Sequence, residues 1–319
     1  MRERVYQTMV FDSSRWARFS PRDGDVIVCT SYKAGTTWTQ MICLLLIHQT
    51  PTLPAPLAEI SPWLDMRTEA IEAIMAGLEA QPFRRVIKTH TPRDGIPDYD
   101  NVTYVVCGRD PRDVFMSLQN HMANTDVTAF GRVLAAQGVE VAKPPPLPDD
   151  TDERFRLWLT AGTFPWESDG RPYWSHMRHA QTFWEHRDRA NIHLLHYADL
   201  KADLEGQMRR VARLLNIDVE ASRWPSLVEA ASFEHMKSNA DRTAPETNHG
   251  LWRDNRQFFN RGANAQWRGV LSEASLRLYR DIVSERYDAA LMQWLEDGSL
   301  AAGEAKPTQA SIATCRNDL

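Results

Sequence analysis

Two lysines, one histidine and one arginine follow or close short apolar runs that have the composition of buried β-strands. They are Lys33 after VIVCT (26–30), Lys88 and His90 in RVIKTH (85–90), and Arg109 after VTYVVC (102–107). In doubly wound α/β proteins, ligands bind outside the carboxyl ends of the parallel strands. We therefore expect these side chains to lie together at one edge of a sheet. The lysines and the arginine there would bind an anion, and the histidine would supply a base.

The segment SYKAGTTW (31–38) has the character of a phosphate-binding loop. A strand that ends, turns through Gly35 and enters a helix at Thr36 directs free backbone N–H groups and the helix dipole at one point. Lys33 adds a full charge, and the hydroxyl groups of Thr36 and Thr37 can donate hydrogen bonds. The loop lacks the G-x-x-x-x-G-K-[ST] pattern of NTPases, and no strand pattern ends in an aspartate suited to magnesium. An ordinary turn with a capped helix is the alternative.

His90 is a candidate general base. Residues at alternate positions of a strand point to the same face, so Lys88 and His90 would both face the Lys33 loop. A histidine with a pKa near ~6.5 can accept a proton from an alcohol or a phenol. The alternative is a purely structural histidine at the end of a strand.

The segment GRDPRDVFMS (108–117) predicts the start of a helix with Asp110 at the N-cap. Arg109 presents a permanently charged, forked donor that suits a phosphate, and Ser117 lies about two turns inside the helix. Two interpretations are open. Either Arg109 and Ser117 bind an anion, or Arg109 pairs with Asp110 or Asp113 and Ser117 faces a neighbouring helix.

The alternation of short strands with helical patterns predicts an α/β fold, with a doubly wound, mainly parallel central sheet and helices on both faces. We expect a single domain over residues 1–295 with two inserted loops. The loop near 124–152 is proline-rich and would form a flexible surface loop or lid, and the other lies near 160–174. Residues 296–319 are expected to be a disordered tail. The strands are predicted at 26–30, 85–90, 102–107 and 192–197, and helices at 36–48, 110–122 and 197–217.

The composition argues against several classes of protein. A formal net charge of −5 over 319 residues disfavours a nucleic-acid partner. The four cysteines form no C-x-x-C pair, and His176, His179 and His186 have no third ligand in phase, so we predict no metal site and place these histidines on the surface. The longest apolar run, MICLLLI (41–47), is far shorter than the roughly 20 residues of a transmembrane helix. With no signal-peptide pattern at the beginning, we expect a cytoplasmic protein.

SYKAGTTW, KTHTP and GRDPRDVFMS, in this order and spacing, resemble the motifs of cytosolic-type sulfotransferases that use 3′-phosphoadenosine 5′-phosphosulfate (PAPS). Three further segments resemble other motifs of that family, so the match spans roughly residues 20–295. They are HYADLKAD (196–203), ASFEHMK (231–237) and FFNRGANAQWR (258–268). ISPWLDMR (60–67) and GTFPWE (162–167) are similar to the actinobacterial branch that includes mycobacterial glycolipid sulfotransferases.

The resemblance implies roles for individual residues. Lys33, Lys88 and His90 would be catalytic, with the lysines at the leaving phosphate and the sulfonyl group and His90 at the acceptor hydroxyl. No metal is implied, because the lysines take the place of magnesium. Lys33, Ala34, Gly35, Thr36 and Thr37 would bind the phosphosulfate of PAPS, and Trp38 would stack on the adenine. Arg109, Ser117, Arg261 and Gly262 would bind the 3′-phosphate. Tyr197, Ser232 and Phe233 would line the adenine side, and Phe258 would also contact PAPS.

The chain departs from the family pattern at several positions. Asn260 stands where the family has an arginine, which puts one contact with the 3′-phosphate in doubt. Ala231 replaces a threonine and removes an expected hydrogen bond to adenine. The dimer motif of animal members is not visible in RGVLSEASLR (268–277), so no oligomeric state is implied.

The acceptor pocket is expected from segments outside these motifs, and their aromatic content predicts a hydrophobic alcohol, a phenol or a glycolipid as acceptor. Aromatic side chains that simply pack the loops down are the alternative. The segments are 61–66, 120–130 and 162–174, with Trp63, Leu64 and Trp166 as candidate lining residues.

A PAPS-dependent sulfotransferase is therefore the leading hypothesis. The alternative enzyme is a P-loop-type kinase that phosphorylates a small hydroxyl substrate. A non-catalytic anion-sensing module is the third possibility, and the presence of Lys33, Lys88 and His90 together argues against it, because a binding protein has no use for a base beside the anion.

Overall fold

A computed structural model of the chain describes residues 3–142 and 146–300. Its described part contains a four-stranded sheet in the order β2-β1-β3-β4, and all neighbouring strands are parallel. The predicted doubly wound α/β fold is confirmed. The strands are β1 (Val26–Cys29), β2 (Val86–Thr89), β3 (Thr103–Gly108) and β4 (Ile192–His196).

The strand register brings the predicted site segments to one edge of the sheet. Val28 of β1 pairs with Lys88 of β2 on one side and with Val105 of β3 on the other. The strands therefore end at nearly the same level, and the residues that follow them, among them His90 and Arg109, lie at the same carboxyl edge.

Helices cover the sheet and form the connections between its strands. Helices α1 to α8 are Thr36–His48, Leu57–Ile60, Ile71–Ala80, Pro111–Asn124, Val127–Ala136, Thr151–Thr160, His176–Trp184 and Tyr197–Ala202. Helices α9 to α15 are Leu204–Leu214, Trp224–Ala230, Phe233–Ser238, Ala240–Thr243, Asn255–Phe258, Glu273–Arg286 and Ala289–Asp297. Short 3-10 helices occupy Ser13–Arg18, Arg93–Gly95, Ala221–Arg223 and Thr247–His249.

Local capping explains where several helices begin. Asp110 caps α4 by accepting a hydrogen bond from the amide of Arg112, as predicted. The helix predicted over 197–217 is instead two helices, because Asp203 interrupts it and caps α9 by accepting from the amide of Gly206.

The segment predicted as a loop over 124–152 contains a helix, α5, and the beginning of α6. Asp126 caps α5 by accepting from the amides of Thr128 and Ala129. Residues 143–145, inside the proline-rich stretch, lie outside the described residues. The segment predicted as a loop over 160–174 contains turns and an isolated bridge between Gly162 and Gly170.

The predicted boundary of the tail at residue 295 needs correction. Helix α15 continues to Asp297, and the amides of Ser299 and Leu300 donate hydrogen bonds to the carboxylate of Asp199 at 3.0 and 3.1 Å. These bonds attach the chain to the domain as far as residue 300. The remainder of the predicted tail, 301–319, lies outside the described residues.

The core lies on both faces of the sheet, which explains why the strands are apolar throughout. Val26 and Val28 face α1 and α9, whereas Ile27 and Cys29 face the opposite side with Trp16. A third apolar cluster packs α4, α6, α7, α14 and α15 together. Within the described ranges, no helix is both long enough and apolar enough to cross a membrane.

Candidate active site

The loop after β1 turns sharply at Gly35. Lys33 has a φ of 59° and Gly35 a φ of 110°, and the latter lies in the region that favours glycine. A Cβ atom at Gly35 would also lie 3.2 Å from Cys107 Sγ and 3.2 Å from Tyr197 Cδ2. Glycine is needed here for both its conformation and its size. The loop then enters α1 at Thr36, whose hydroxyl is hydrogen-bonded to that of Thr30.

Three cations meet at this edge of the sheet, and each lies on the face of an aromatic ring. Lys33 Nζ is 4.3 Å from the ring centre of Phe258, Lys88 Nζ is 4.5 Å from that of Trp63, and the Arg109 guanidinium is 4.1 Å from that of Tyr197. Among the residues that the structure describes, none of the three cations forms an ion pair with a carboxylate. Their positive charge is therefore available to a ligand.

The pKa values of the two lysines show how strongly this charge is concentrated. Burial, and then the charges of Arg109 and Lys88, lower the pKa of Lys33 from 10.5 to about 7. Burial also lowers the pKa of Lys88, and Glu246 and Asp65 oppose that shift. An anion bound between these cations would relieve the repulsion and restore the charge of Lys33.

Arg109 forms no ion pair with Asp110 or Asp113, both of which the structure describes, so the predicted alternative of such a pair is wrong. Its guanidinium donates to the carbonyl oxygens of Lys33 at 2.9 Å and Ala263 at 3.2 Å. Its Nε is buried and has no partner in the part of the chain that the structure describes. Asp110 pairs instead with Arg112 at 2.8 Å. The buried, unpartnered Nε shows that Arg109 retains unused donor capacity for a ligand.

Asp113 fixes the loop that precedes Trp267. Its carboxylate accepts hydrogen bonds from the amides of Ala265 and Gln266, both at 2.7 Å. Arg109 contacts the same loop through Ala263. Through Asp113, helix α4 thus holds the loop with Ala263, Ala265 and Gln266 in place. The sequence did not indicate this role of Asp113.

The same loop is closed from the other side by two lysines. Lys237 donates to the carbonyl oxygen of Asn260 at 2.9 Å, and Lys201 donates to that of Gly262. Gly262 has a φ of 58°, and a Cβ atom there would lie 2.7 Å from the ring of Phe233. Gly262 and the ring of Phe233, which were predicted at different parts of the nucleotide, are therefore packed closely against each other.

The predicted adenine side brings Trp38 and Tyr197 together. Their ring centres are 5.3 Å apart, and Trp38 Nε1 donates to the carbonyl oxygen of Ala231 at 2.8 Å. The Ser232 hydroxyl accepts a hydrogen bond from the amide of His235 and caps α11. Ser232 is therefore committed to its own helix, in addition to any contact with a ligand.

His90 has the tautomer that a base requires. Its Nδ1 lies 2.6 Å from the carbonyl oxygen of Thr30, and because a carbonyl only accepts, Nδ1 carries the hydrogen and Nε2 keeps its lone pair. The rings of Trp63 and Trp174 lie 4.5 and 6.0 Å away. Burial and then the charge of Lys88 hold the pKa of His90 well below its ordinary value. The imidazole is therefore neutral and able to accept a proton.

Asp65 positions the segment that carries His90, and sequence reasoning missed it. Its fully buried carboxylate accepts hydrogen bonds from the hydroxyls of Thr89 and Thr91, both at 2.6 Å. It also accepts from the indole N–H groups of Trp16, at 2.9 Å, and Trp63. The carboxylate thus fixes the residues on both sides of His90. The sequence signal was an aspartate within the otherwise apolar run SPWLDM.

His176 connects the two predicted phosphate-binding segments. Its Nε2 donates to the carbonyl oxygen of Arg109 at 2.9 Å, so its Nδ1 accepts from the hydroxyl of Ser31. Burial is the main cause that lowers its pKa to about 4. The prediction that His176 and His179 are surface residues is wrong, because each is 1% exposed, whereas His186 is exposed.

The three candidate acceptor residues have different surroundings. Trp63 contacts both Lys88 and His90, as a pocket residue would. Leu64 is 0% exposed and packs in the core beneath the sheet, so its prediction as a lining residue is wrong. Trp166 stacks on Phe164, with ring centres 5.3 Å apart, and so packs its own loop.

The remaining predicted residues differ in how closely they join the site. Ala34, Thr36 and Thr37 are buried in the phosphate-binding loop. Ser117 is partly buried on α4 and Arg261 is exposed, and in the described part of the chain neither side chain has a hydrogen bond to the site. Their contacts with a 3′-phosphate stay predictions.

Fold and site together define an α/β protein with three clustered cations and a neutral histidine at the carboxyl edge of its sheet. A family model described as "Sulfotransferase domain" matches residues 23–292. Glycolipid sulfotransferases of Mycobacterium bovis (strain BCG / Pasteur 1173P2) and Mycobacterium tuberculosis (strain ATCC 25177 / H37Ra) are each 35% identical to the chain, over 312 and 316 residues. Both alignments cover 92% of this chain and 94% of the relative.

The crystal structure of mouse sulfotransferase SULT7A1 complexed with PAP has the same fold, with a TM-score of 0.67 and 19% identity over 91% of this chain and 97% of that one. The chain belongs to the sulfotransferase family and is an enzyme of that class. The resemblance to the mycobacterial glycolipid branch, inferred from short motifs, is confirmed.

Proposed function

We propose that the enzyme transfers the sulfonyl group of PAPS to a hydroxyl of a hydrophobic alcohol, a phenol or a glycolipid, with His90 as general base. The observation that carries this proposal is a set of three cations, Lys33, Lys88 and Arg109, beside His90, whose Nε2 keeps its lone pair. Among the described residues, none of these cations forms an ion pair with a carboxylate. The 35% identity to glycolipid sulfotransferases supports the glycolipid as an acceptor.

The hydrogen-bond donors of the site fit a nucleotide with two phosphate groups at different positions. Lys33 and the amides at the start of α1 suit the phosphosulfate, and the unused Nε of Arg109 suits a second phosphate. Arg109 and the loop carbonyl of Lys33 are joined by a hydrogen bond, so the two anion sites form one unit. Trp38 and Tyr197 offer aromatic surface for the adenine.

The residues would share the work of sulfonyl transfer as follows. PAPS supplies an activated sulfonyl group whose leaving group is a phosphate oxygen. Lys33 and Lys88 donate to the negative charge that develops on the phosphate and sulfonyl oxygens. His90 Nε2 accepts the proton of the acceptor hydroxyl as its oxygen attacks sulfur. Asp65 and Thr30 hold His90 in place, which maintains the attack geometry.

The kinase alternative has no comparable support. The family match is to sulfotransferases, and the loop places Lys33 two residues before Gly35 instead of directly after a glycine.

Ligand binding to the purified protein tests the proposal. A ligand that binds only the native state raises the free energy of unfolding, and the melting temperature rises with it. The gain is about 2.7 kcal/mol when the ligand concentration is a hundred times the dissociation constant. We expect 3′-phosphoadenosine 5′-phosphate (PAP) to stabilise the protein well beyond ADP and beyond ATP with magnesium. Equal stabilisation by ADP would contradict the assignment of Arg109, and stabilisation by ATP with magnesium alone would favour the kinase.

A further inference from the structure

A second histidine, His121, lies at the same site, near the end of α4. Its ring centre is 6.2 Å from that of Phe258, the ring on whose face the Lys33 ammonium lies at 4.3 Å. On its other side, the ring of Trp252 is 4.9 Å away. His121 and Lys33 therefore share the ring of Phe258 as a neighbour, and His121 has no role in the proposed mechanism.

The electrostatic surroundings of His121 place it close to the reacting groups. Burial, followed by the charges of Lys33 and Lys88, lowers its pKa well below the ordinary value. His121 in turn contributes to the lowered pKa of His90. Both imidazoles are therefore neutral beside two lysines.

The two histidines differ in their hydrogen-bonding partners. His90 Nδ1 donates to the carbonyl oxygen of Thr30, which leaves Nε2 as an acceptor. His121 Nδ1 is buried and has no hydrogen-bond partner within residues 3–142 and 146–300. A buried N–H without an acceptor is the costlier arrangement, so the hydrogen of His121 is on Nε2. His90 Nε2 can thus accept a hydrogen bond, whereas His121 Nε2 can donate one.

We propose that His121 Nε2–H donates a hydrogen bond to an acceptor oxygen adjacent to the attacking hydroxyl, so that the site selects a vicinal diol or a sugar over an isolated hydroxyl. This inference rests on the proposed sulfotransferase function. The attacking hydroxyl gives its proton to His90, and a neighbouring oxygen satisfies His121. An acceptor without that oxygen leaves the donor desolvated and unpaired, and sites built for a hydroxyl discriminate strongly against analogues that lack it.

Two acceptors with the same alkyl chain, an alkyl glucoside and the corresponding 1-alkanol, test the inference with PAPS as donor. We expect the wild-type enzyme to prefer the glucoside in kcat/KM by about tenfold or more. His121→Phe keeps an aromatic ring but removes the donor. In this variant kcat/KM for the glucoside should fall by about tenfold more than kcat/KM for the alkanol. In His121→Gln, whose amide can donate from a similar position, most of the preference should return.

Binding of PAP provides the control for folding, because His121 is assigned to the acceptor and not to the nucleotide. Equal losses on both acceptors in His121→Phe would overturn the inference, as would a large loss of PAP affinity, which would place His121 at the donor. An absence of transfer by the wild-type enzyme to either acceptor would contradict the proposed function itself. The two failures are therefore distinguishable.

Discussion

The lowered pKa of Lys33 predicts that nucleotide binding takes up a proton. In the ligand-free protein, burial and the charges of Arg109 and Lys88 bring this pKa from 10.5 to about 7. At pH 8 about nine-tenths of the Lys33 side chains are therefore neutral. A bound polyanion removes the cause of the shift, and full recovery of the ordinary pKa corresponds to at most about 5 kcal/mol of coupling between protonation and binding.

Isothermal titration calorimetry of PAP at pH 8, in buffers of different ionisation enthalpy, measures this proton directly. Lys33→Arg is the matched control, because arginine stays charged at this pH and the remaining proton exchange belongs to the ligand. We expect the wild-type protein to take up about nine-tenths of a proton more than the variant. The affinity of the wild-type protein for PAP should fall by up to tenfold per pH unit above 7. Equal proton uptake by both proteins would show that Lys33 is already charged and would refute the reasoning.

The stability of the ligand-free protein should show the reverse dependence on pH. Between pH 7 and 10.5 the unfolded chain holds a proton on Lys33 that the native protein has lost, so this residue makes stability rise with pH in that interval. Chemical denaturation of the wild-type protein and of Lys33→Met across the interval checks the sign. A steeper rise in the variant would contradict it.

Three further predictions concern other residues. His90→Ala should still bind PAP but transfer sulfonate about a hundredfold or more slowly; undiminished turnover would remove His90 as the base. Arg109→Ala should weaken PAP binding by about tenfold or more while ADP binding changes little, and equal losses in calorimetry would refute its contact with the 3′-phosphate. Glu167 is 9% exposed, and burial is the main cause that raises its pKa from 4.5 to about 7. Over this interval the native protein holds a proton on Glu167 that the unfolded chain has lost. The free energy of unfolding should therefore fall by about 3 kcal/mol as the pH rises through the interval. Denaturation of Glu167→Gln at pH 4.5 and pH 8 checks this, and an equal difference from the wild type at both pH values would contradict it.

The strands and the strand-end residues could be predicted because their signals are local. An apolar run of four to six residues followed by a polar residue identifies a buried strand and its end, so His90 and Arg109 could be placed at one edge of the sheet. The prediction for Leu64 failed because Trp63 and Leu64 were both assigned to the pocket, although they are adjacent in the chain. The bridge between Trp63 and Lys88 gives this segment an extended conformation, in which adjacent side chains point to opposite faces.

The supporting residues could not be predicted because their partners are distant in sequence. Asp65 gathers donors from Trp16 and Thr89, and His176 accepts from Ser31, 145 residues away. No periodicity encodes such contacts. Helix α5 was not predicted because it lies in the same segment as the proline-rich stretch, and prolines indicate a loop. Its N-cap residue, Asp126, is nevertheless of a type that favours a helix start.

The proposed function requires that this site moves a sulfonyl group from PAPS to a hydroxyl. The most direct measurement incubates the purified enzyme with PAPS labelled in its sulfonyl group and a panel of alkyl alcohols, phenols and glycolipids, without added metal. We expect labelled acceptor in an amount equal to the PAP formed, and we expect this product to be lost in His90→Ala. Labelling that does not require PAPS, or phosphate transfer from ATP with magnesium in its place, would contradict the proposed function.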